Sequence, residues 1–172
     1  MEIKISVKLT ANEMFNFMMK HTYSSLSGYI GLLLSLCALL GFIATFNNEA
    51  VTIQYKIVLI VTALLFTVVQ PVNLYLRSKK QVKENENINK PMEYVFTDKG
   101  IKVSQGEESA EYEWSQVYKI GSSKLSIFMY TGKYRSFILP RSAFAEEDIK
   151  RLRELVREKA TSAKSVNFGR VE

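Results

Sequence analysis

The chain is poor in the residues that build reactive sites. One cysteine, one histidine and one tryptophan occur in 172 residues. A single thiol, Cys37, cannot form a disulfide within the chain, and no pair of metal-ligand spacings exists. It reads as a small buried hydrophobe. His21 has no nucleophile near it in sequence, so no Ser–His–Asp set can be assembled. No glycine-rich loop is shaped to cradle a phosphate. Glu111 and Glu113 alternate with Tyr112 and Trp114, which suits the wet face of a strand rather than an acid/base pair. The sequence therefore points away from an enzyme. It names no catalytic residue, no cofactor-binding residue, no metal ligand and no small-molecule substrate.

Charge is missing from two long stretches. Thr22–Asn48 and Ile57–Leu76 contain no Asp, Glu, Lys or Arg. A helix rises 1.5 Å per residue, so about 20 residues cross a hydrocarbon core of about 30 Å. Residues 27–46 and 57–76 meet that length and show almost no polar face. They read as two transmembrane helices. Phe42, two residues before Ala44, breaks the small-x-small rule of a cleaved signal peptide. The polar turn from Asn47 to Thr52 is short, so the helices form an antiparallel hairpin and both ends of the chain lie on one side. No acidic or basic group lies deep in either block, which argues against transport.

The net charge of +6 gathers at the hairpin ends. Lys4, Lys8 and Lys20 precede the first block, and Arg77, Lys79, Lys80 and Lys83 follow the second. Only Glu49 and Lys56 sit in the turn. Cations favour the cytoplasmic side, which places both termini there. The four-cation cluster of the 24–83 segment reads as a stop-transfer anchor. Its sharper reading is an anionic-lipid contact of phosphoinositide or cardiolipin type. No basic stripe interleaved with exposed aromatics supports nucleic-acid binding.

Small residues recur at helical spacing in the first block: Ser24, Gly28, Gly31, Ser35, Ala38, Gly41 and Thr45. Such a face allows close helix approach. Its expected partner is the second helix, through Thr62, Ala63 and Thr67; a second copy is the alternative. Pro71 removes an N–H, so the Thr67 carbonyl loses its partner and a kink is expected there.

The flanks have soluble patterning. Residues 1–9 alternate apolar and polar and predict a half-buried strand. Thr10 and Glu13 form a capping box that opens an interfacial helix up to residue 23. A lone strand needs partners, and the strand-rich region is C-terminal, so residues 2–9 are expected to join that sheet. After a polar linker, residues 84–91, an antiparallel meander is predicted within 92–160: "MEYVF", the turn "TDKG" with Gly100 at positive φ, "IKVS", one long extended run 110–120, "LSIFMY" and "YRSFILP". Trp114 is the aromatic expected in the core. "AEEDIKRLRELVREK" is a helix with acids in its first turn and bases in its last. Its stripe of Ile149, Leu152, Leu155 and Val156 should cover the sheet. The tail, 161–172, is either disordered or docked.

"YVFTDKGI", "EYEWSQVYKI" and "LSIFMYTGKYRSFILPRSAF", after two membrane spans and before an amphipathic helix, resemble the YcxB-like family of bacterial membrane proteins. Trp114–Ser115 and Leu139–Pro140–Arg141 leading to Phe144 carry the likeness most clearly. The resemblance implies a pleckstrin-homology-like (PH-like) sheet capped by the last helix, in a bacterial cell membrane, and brings no catalytic function. The fold class expected is thus α+β: a transmembrane hairpin plus a small antiparallel β domain. Three functions are open. One is a non-enzymatic, membrane-anchored interaction module that displays the β domain to a protein partner or to itself. Another recognises anionic lipid through Lys119, Lys124, Lys133 and Arg135 together with the helix-end cluster. The last is a regulatory subunit of a membrane enzyme or transporter.

Overall fold

The computed structural model describes residues 2–85, 88, 90–132 and 135–169. The chain forms two compact units, residues 18–78 and residues 1–17 with 79–172.

The first unit holds the apolar helix α2 (Leu26–Thr45) and most of α3 (Ile53–Glu84), as far as Ser78. Both are long and apolar enough to cross a membrane. Their apolar windows are only 22% and 11% buried, whereas the core helix of a soluble protein would be mostly covered. The pairing is antiparallel: Gly41 faces Leu59, Ser35 faces Thr62 and Gly31 faces Phe66. Gly28, Gly31, Ser35 and Ala38 are the buried residues of α2, as the small-residue spacing predicts. A Cβ at Gly31 would lie 2.2 Å from the Phe66 ring, so only glycine admits that ring. Ser35 Oγ donates to the Thr62 carbonyl at 3.2 Å. Two expectations change. Thr67, expected on the face towards α2, is exposed, and its hydroxyl donates to the Ala63 carbonyl of its own helix at 2.6 Å, as a helical Thr can. Cys37 is exposed, since it falls between the buried Ser35 and Ala38 on the outward side.

The expected break at Pro71 takes a particular form. Residues Leu65–Val69 are a π-helical turn, and the Gln70 N–H bonds to the Leu65 carbonyl. In that five-residue register the Phe66 carbonyl would be served by residue 71, which is proline. The Tyr23 hydroxyl, at the end of α1 (Ala11–Tyr23), donates to it instead. The exchange satisfies a carbonyl that an apolar setting would leave orphaned at a cost of several kcal/mol.

The second unit has two antiparallel sheets rather than one. The first runs β1–β2–β3–β4, with β1 Glu2–Val7, β2 Met92–Thr97, β3 Ile101–Gln105 and β4 Glu108–Tyr112. The second runs β5–β6–β7, with β5 Lys119–Ser122, β6 Ser126–Tyr130 and β7 Ser136–Pro140. The N-terminal strand joins the sheet as its alternation predicts. Ile3 pairs with Phe96 and Ile5 with Tyr94. Ile3, Ile5 and Val7 are buried while Glu2, Lys4 and Ser6 are exposed.

The extended run predicted over 110–120 is broken. Trp114–Gln116 is a 3-10 turn. The Glu113 N–H donates to Gln116 Oε1 at 3.0 Å, and Trp114 turns inward, its indole N–H donating to the Thr97 carbonyl at 2.9 Å. This break divides the meander into two sheets. Gly100 does not have positive φ. Its lack of a side chain serves close approach instead, because a Cβ there would lie 2.4 Å from the Tyr112 carbonyl oxygen.

One core lies between these layers. Phe96, Val117, Ile127, Met129, Leu139 and Leu152 are all 0% exposed. The last helix, α4 (Glu146–Lys159), buries Ile149, Leu152, Leu155 and Val156, the predicted stripe. The Thr10–Glu13 capping box is present at 2.8 and 3.3 Å. Residues beyond it do more than meet an interface: Met14 is buried, and the Phe17 ring stacks edge-on against Phe128 with centroids 5.2 Å apart.

Candidate functional site

The predicted cations fall into separate groups. Arg77, Lys79, Lys80 and Lys83 are all exposed on the closing turns of α3. Lys80 pairs with Glu84 at 3.8 Å, an exposed i,i+4 pair worth a few tenths of a kcal/mol.

The loop set is not one patch. Lys119 pairs across the sheet with Tyr130, and its ammonium lies 5.0 Å from that ring's centroid. Arg135 adjoins Ser136, which also faces Tyr130. These two therefore mark one end of the second sheet. Lys124 lies in the β5–β6 turn beyond the Ser122–Ile127 pair, at the opposite end. At about 3.3 Å per residue, four-residue strands separate these ends by about 13 Å. Lys133 lies outside the described residues. Sequence order had joined Lys119 and Lys124 because they are close along the chain; strand extension parts them.

Glu111 and Glu113 are exposed, as the alternation predicts. Glu111 meets Lys102 at 3.8 Å, and both line a shallow depression of about 500 Å³ with Glu2, Thr97, Lys99 and Gln116. Its charges are of both signs, so it offers no focused field for an anion. Among the described residues no cluster of three or more His, Cys, Asp or Glu is placed to hold a metal ion.

The feature that sequence reasoning left undecided is the tail. It docks. The Lys164 N–H donates to the Tyr118 carbonyl at 2.8 Å, Ile120 donates to Ser165 at 2.8 Å, and Asn167 donates to Ile120 at 3.0 Å. Val166 thereby forms a parallel bridge with Ile120, and the tail adds itself to the outer edge of β5. Phe168 is 4% exposed and belongs to the core. Two guanidiniums hold the backbone around it. Arg141 donates to the Phe168 carbonyl, and through Nε to Ser123 at 3.2 Å. Arg153 donates to the Gly169 carbonyl at 2.9 Å. Burial first, and then the Arg153 charge, hold the Arg141 guanidinium below its ordinary pKa. Gly169 has φ of 68°, a conformation glycine adopts freely. The signal in the sequence was Phe168 itself, the one aromatic residue of the tail.

The chain is thus an α+β protein with a hairpin of two candidate membrane-spanning helices and a two-sheet domain capped by a helix. Residues 96–156 match the sequence model of the family described as "YcxB-like protein". A curated relative, the uncharacterized protein YcxB of Bacillus subtilis (strain 168), is 23% identical over 114 residues, or 66% of this chain and 61% of the relative. The match therefore spans about three fifths of that relative's length. No solved structure matches the chain. Both findings support the YcxB-like assignment made from the motifs, and the family match runs from the end of β2 into α4.

Proposed function

We propose that the protein is a membrane-anchored interaction module, non-enzymatic, whose PH-like sheet domain is displayed to a protein partner. One observation carries the anchoring: the exposed surface of the hairpin is almost wholly Leu, Ile, Val, Phe and Tyr. Leu33, Leu36, Leu40 and Ile43 on α2 are 53–62% exposed, as are Ile57, Val58 and Val61 on α3 at 51–61%. A surface of this kind is unstable in water and stable in lipid. The charge bias favours the cytoplasmic side of a bacterial membrane for both termini. In favour of a protein partner stands the sheet domain itself, which has backbone-pairing edges.

The test is site-specific photo-crosslinking in cells, with the probe on exposed positions of the sheet domain of the full-length chain. A reproducible band with one second protein is the expected result. Crosslinks to lipid or to no protein would remove the reading. Recognition of anionic lipid is the second reading, favoured by the four exposed cations at the end of α3. It requires binding to anionic vesicles that falls steeply between low and physiological salt.

A further inference from the structure

The outer edge of β5 is filled by the chain's own tail, and the manner of filling describes a ligand. Three backbone hydrogen bonds join residues 164–167 to Tyr118 and Ile120. Ser165, Val166 and Asn167 are exposed, and Phe168 alone is buried. Such a segment is held by main-chain pairing plus one anchor, the arrangement by which sheets bind extended peptides. Arg141 and Arg153 complete it by donating to the carbonyls of Phe168 and Gly169. The Arg153 guanidinium also lies 5.8 Å from the Phe168 ring centroid. A Cβ at Gly169 would come within 3.0 Å of Ser122 Oγ and 3.4 Å of Arg141 Nη2. The groove therefore selects Phe, two residues after the position that bridges Ile120, followed by Gly, and leaves the residues before it to main-chain pairing. The tail is not a strand of either sheet, so its departure breaks the Ile120–Val166 bridge and its hydrogen bonds and leaves the pairing among β1–β7 in place.

We propose that the β5 edge, with the Phe168 pocket and the Arg141–Arg153 pair, is a docking groove for an extended segment of a partner protein that repeats this pattern, held shut by the tail in its absence. The proposal rests on the reading of the sheet domain as an interaction module. That reading fails separately, if crosslinks from the sheet domain reach no second protein.

The test uses the full-length, detergent-solubilised chain and a labelled peptide of residues 161–169, TSAKSVNFG, followed by fluorescence anisotropy. Phe168→Ala removes the anchor of the resident tail. Asn167→Pro removes the N–H that bonds Ile120 and leaves the anchor in place, and circular dichroism verifies that both variants are folded. The expected result is saturable binding to both variants. Wild type should bind about tenfold more weakly, because its groove is open only part of the time. A peptide with Ala for Phe should bind at least about tenfold more weakly than the parent. Folded variants that bind no peptide overturn the proposal. A wild-type dimer that the free peptide dissolves also overturns it, and makes a second copy's tail the occupant.

Discussion

Tyr94 shows how one side chain ties packing to ionisation. It is 3% exposed and stacks parallel to Phe96 at 6.3 Å. Burial first, and then the nearby Tyr112, push its pKa up to about 12. The folded state holds this proton more tightly than the unfolded chain, whose tyrosine titrates near 10. Its contribution is complete below about pH 10 and is lost as pH rises through about 12, about 3 kcal/mol in all. Denaturant titrations between pH 9 and 12 should show that decline in wild type and a flatter one in Tyr94→Phe. An equal slope in both would place the titration elsewhere. Gly100 makes a second residue-scale case. Gly100→Ala drives a Cβ into the Tyr112 carbonyl, and overpacking of this kind costs about 1–3 kcal/mol. Thermal unfolding should show a drop of several degrees. An unchanged midpoint would mean that the β3–β4 approach is slack.

At the scale of elements, the hairpin depends on α2 presenting no side chains where α3 presents large ones. Gly31→Val should separate the helices at Phe66, which a disulfide between cysteines placed at positions 35 and 62, with Cys37 replaced by Ser, would report as slower crosslinking. The π turn supports a sharper prediction. If the Tyr23 hydroxyl stands in for the N–H that Pro71 lacks, Tyr23→Phe should cost about 1–3 kcal/mol. In a Pro71→Ala background the restored N–H can serve Phe66, so the same change should cost much less. A double-mutant cycle by unfolding in detergent measures the coupling. Additive effects would show that the two groups do not share the Phe66 carbonyl. Pro71 was legible as a local defect. Its remedy was not, because Tyr23 lies 43 residues from Phe66 in sequence.

For the molecule as a whole, the long-range strand pairing is the decisive contact. β1 meets β2 some ninety positions away and buries Ile3, Ile5 and Val7. Three such side chains contribute roughly 5–9 kcal/mol by burial, comparable to the whole stability of a small domain. Deleting residues 2–9 should therefore unfold the sheet domain, seen as loss of the near-ultraviolet signal of Trp114, while the hairpin keeps its helical content. A sheet domain that survives the deletion with unchanged stability would refute this.

Local pattern alone determined a good deal of this protein. Two charge-free stretches became the apolar helices, alternation became β1, and the spacing of Ile149, Leu152, Leu155 and Val156 became the buried stripe of α4. These features are local because periodicity records which face of an element leaves water. The motifs of the sheet domain also carried the YcxB-like likeness. Tertiary structure decided the rest. It broke the chain at Trp114 with a 3-10 turn and split one meander into two sheets. It set Lys119 and Lys124 at opposite ends of a sheet and drew the tail onto the β5 edge. Strand pairing runs through backbone N–H and carbonyl groups that every residue but proline possesses. The sequence can therefore show that a segment is able to pair, and only the assembled fold selects the edge that receives it.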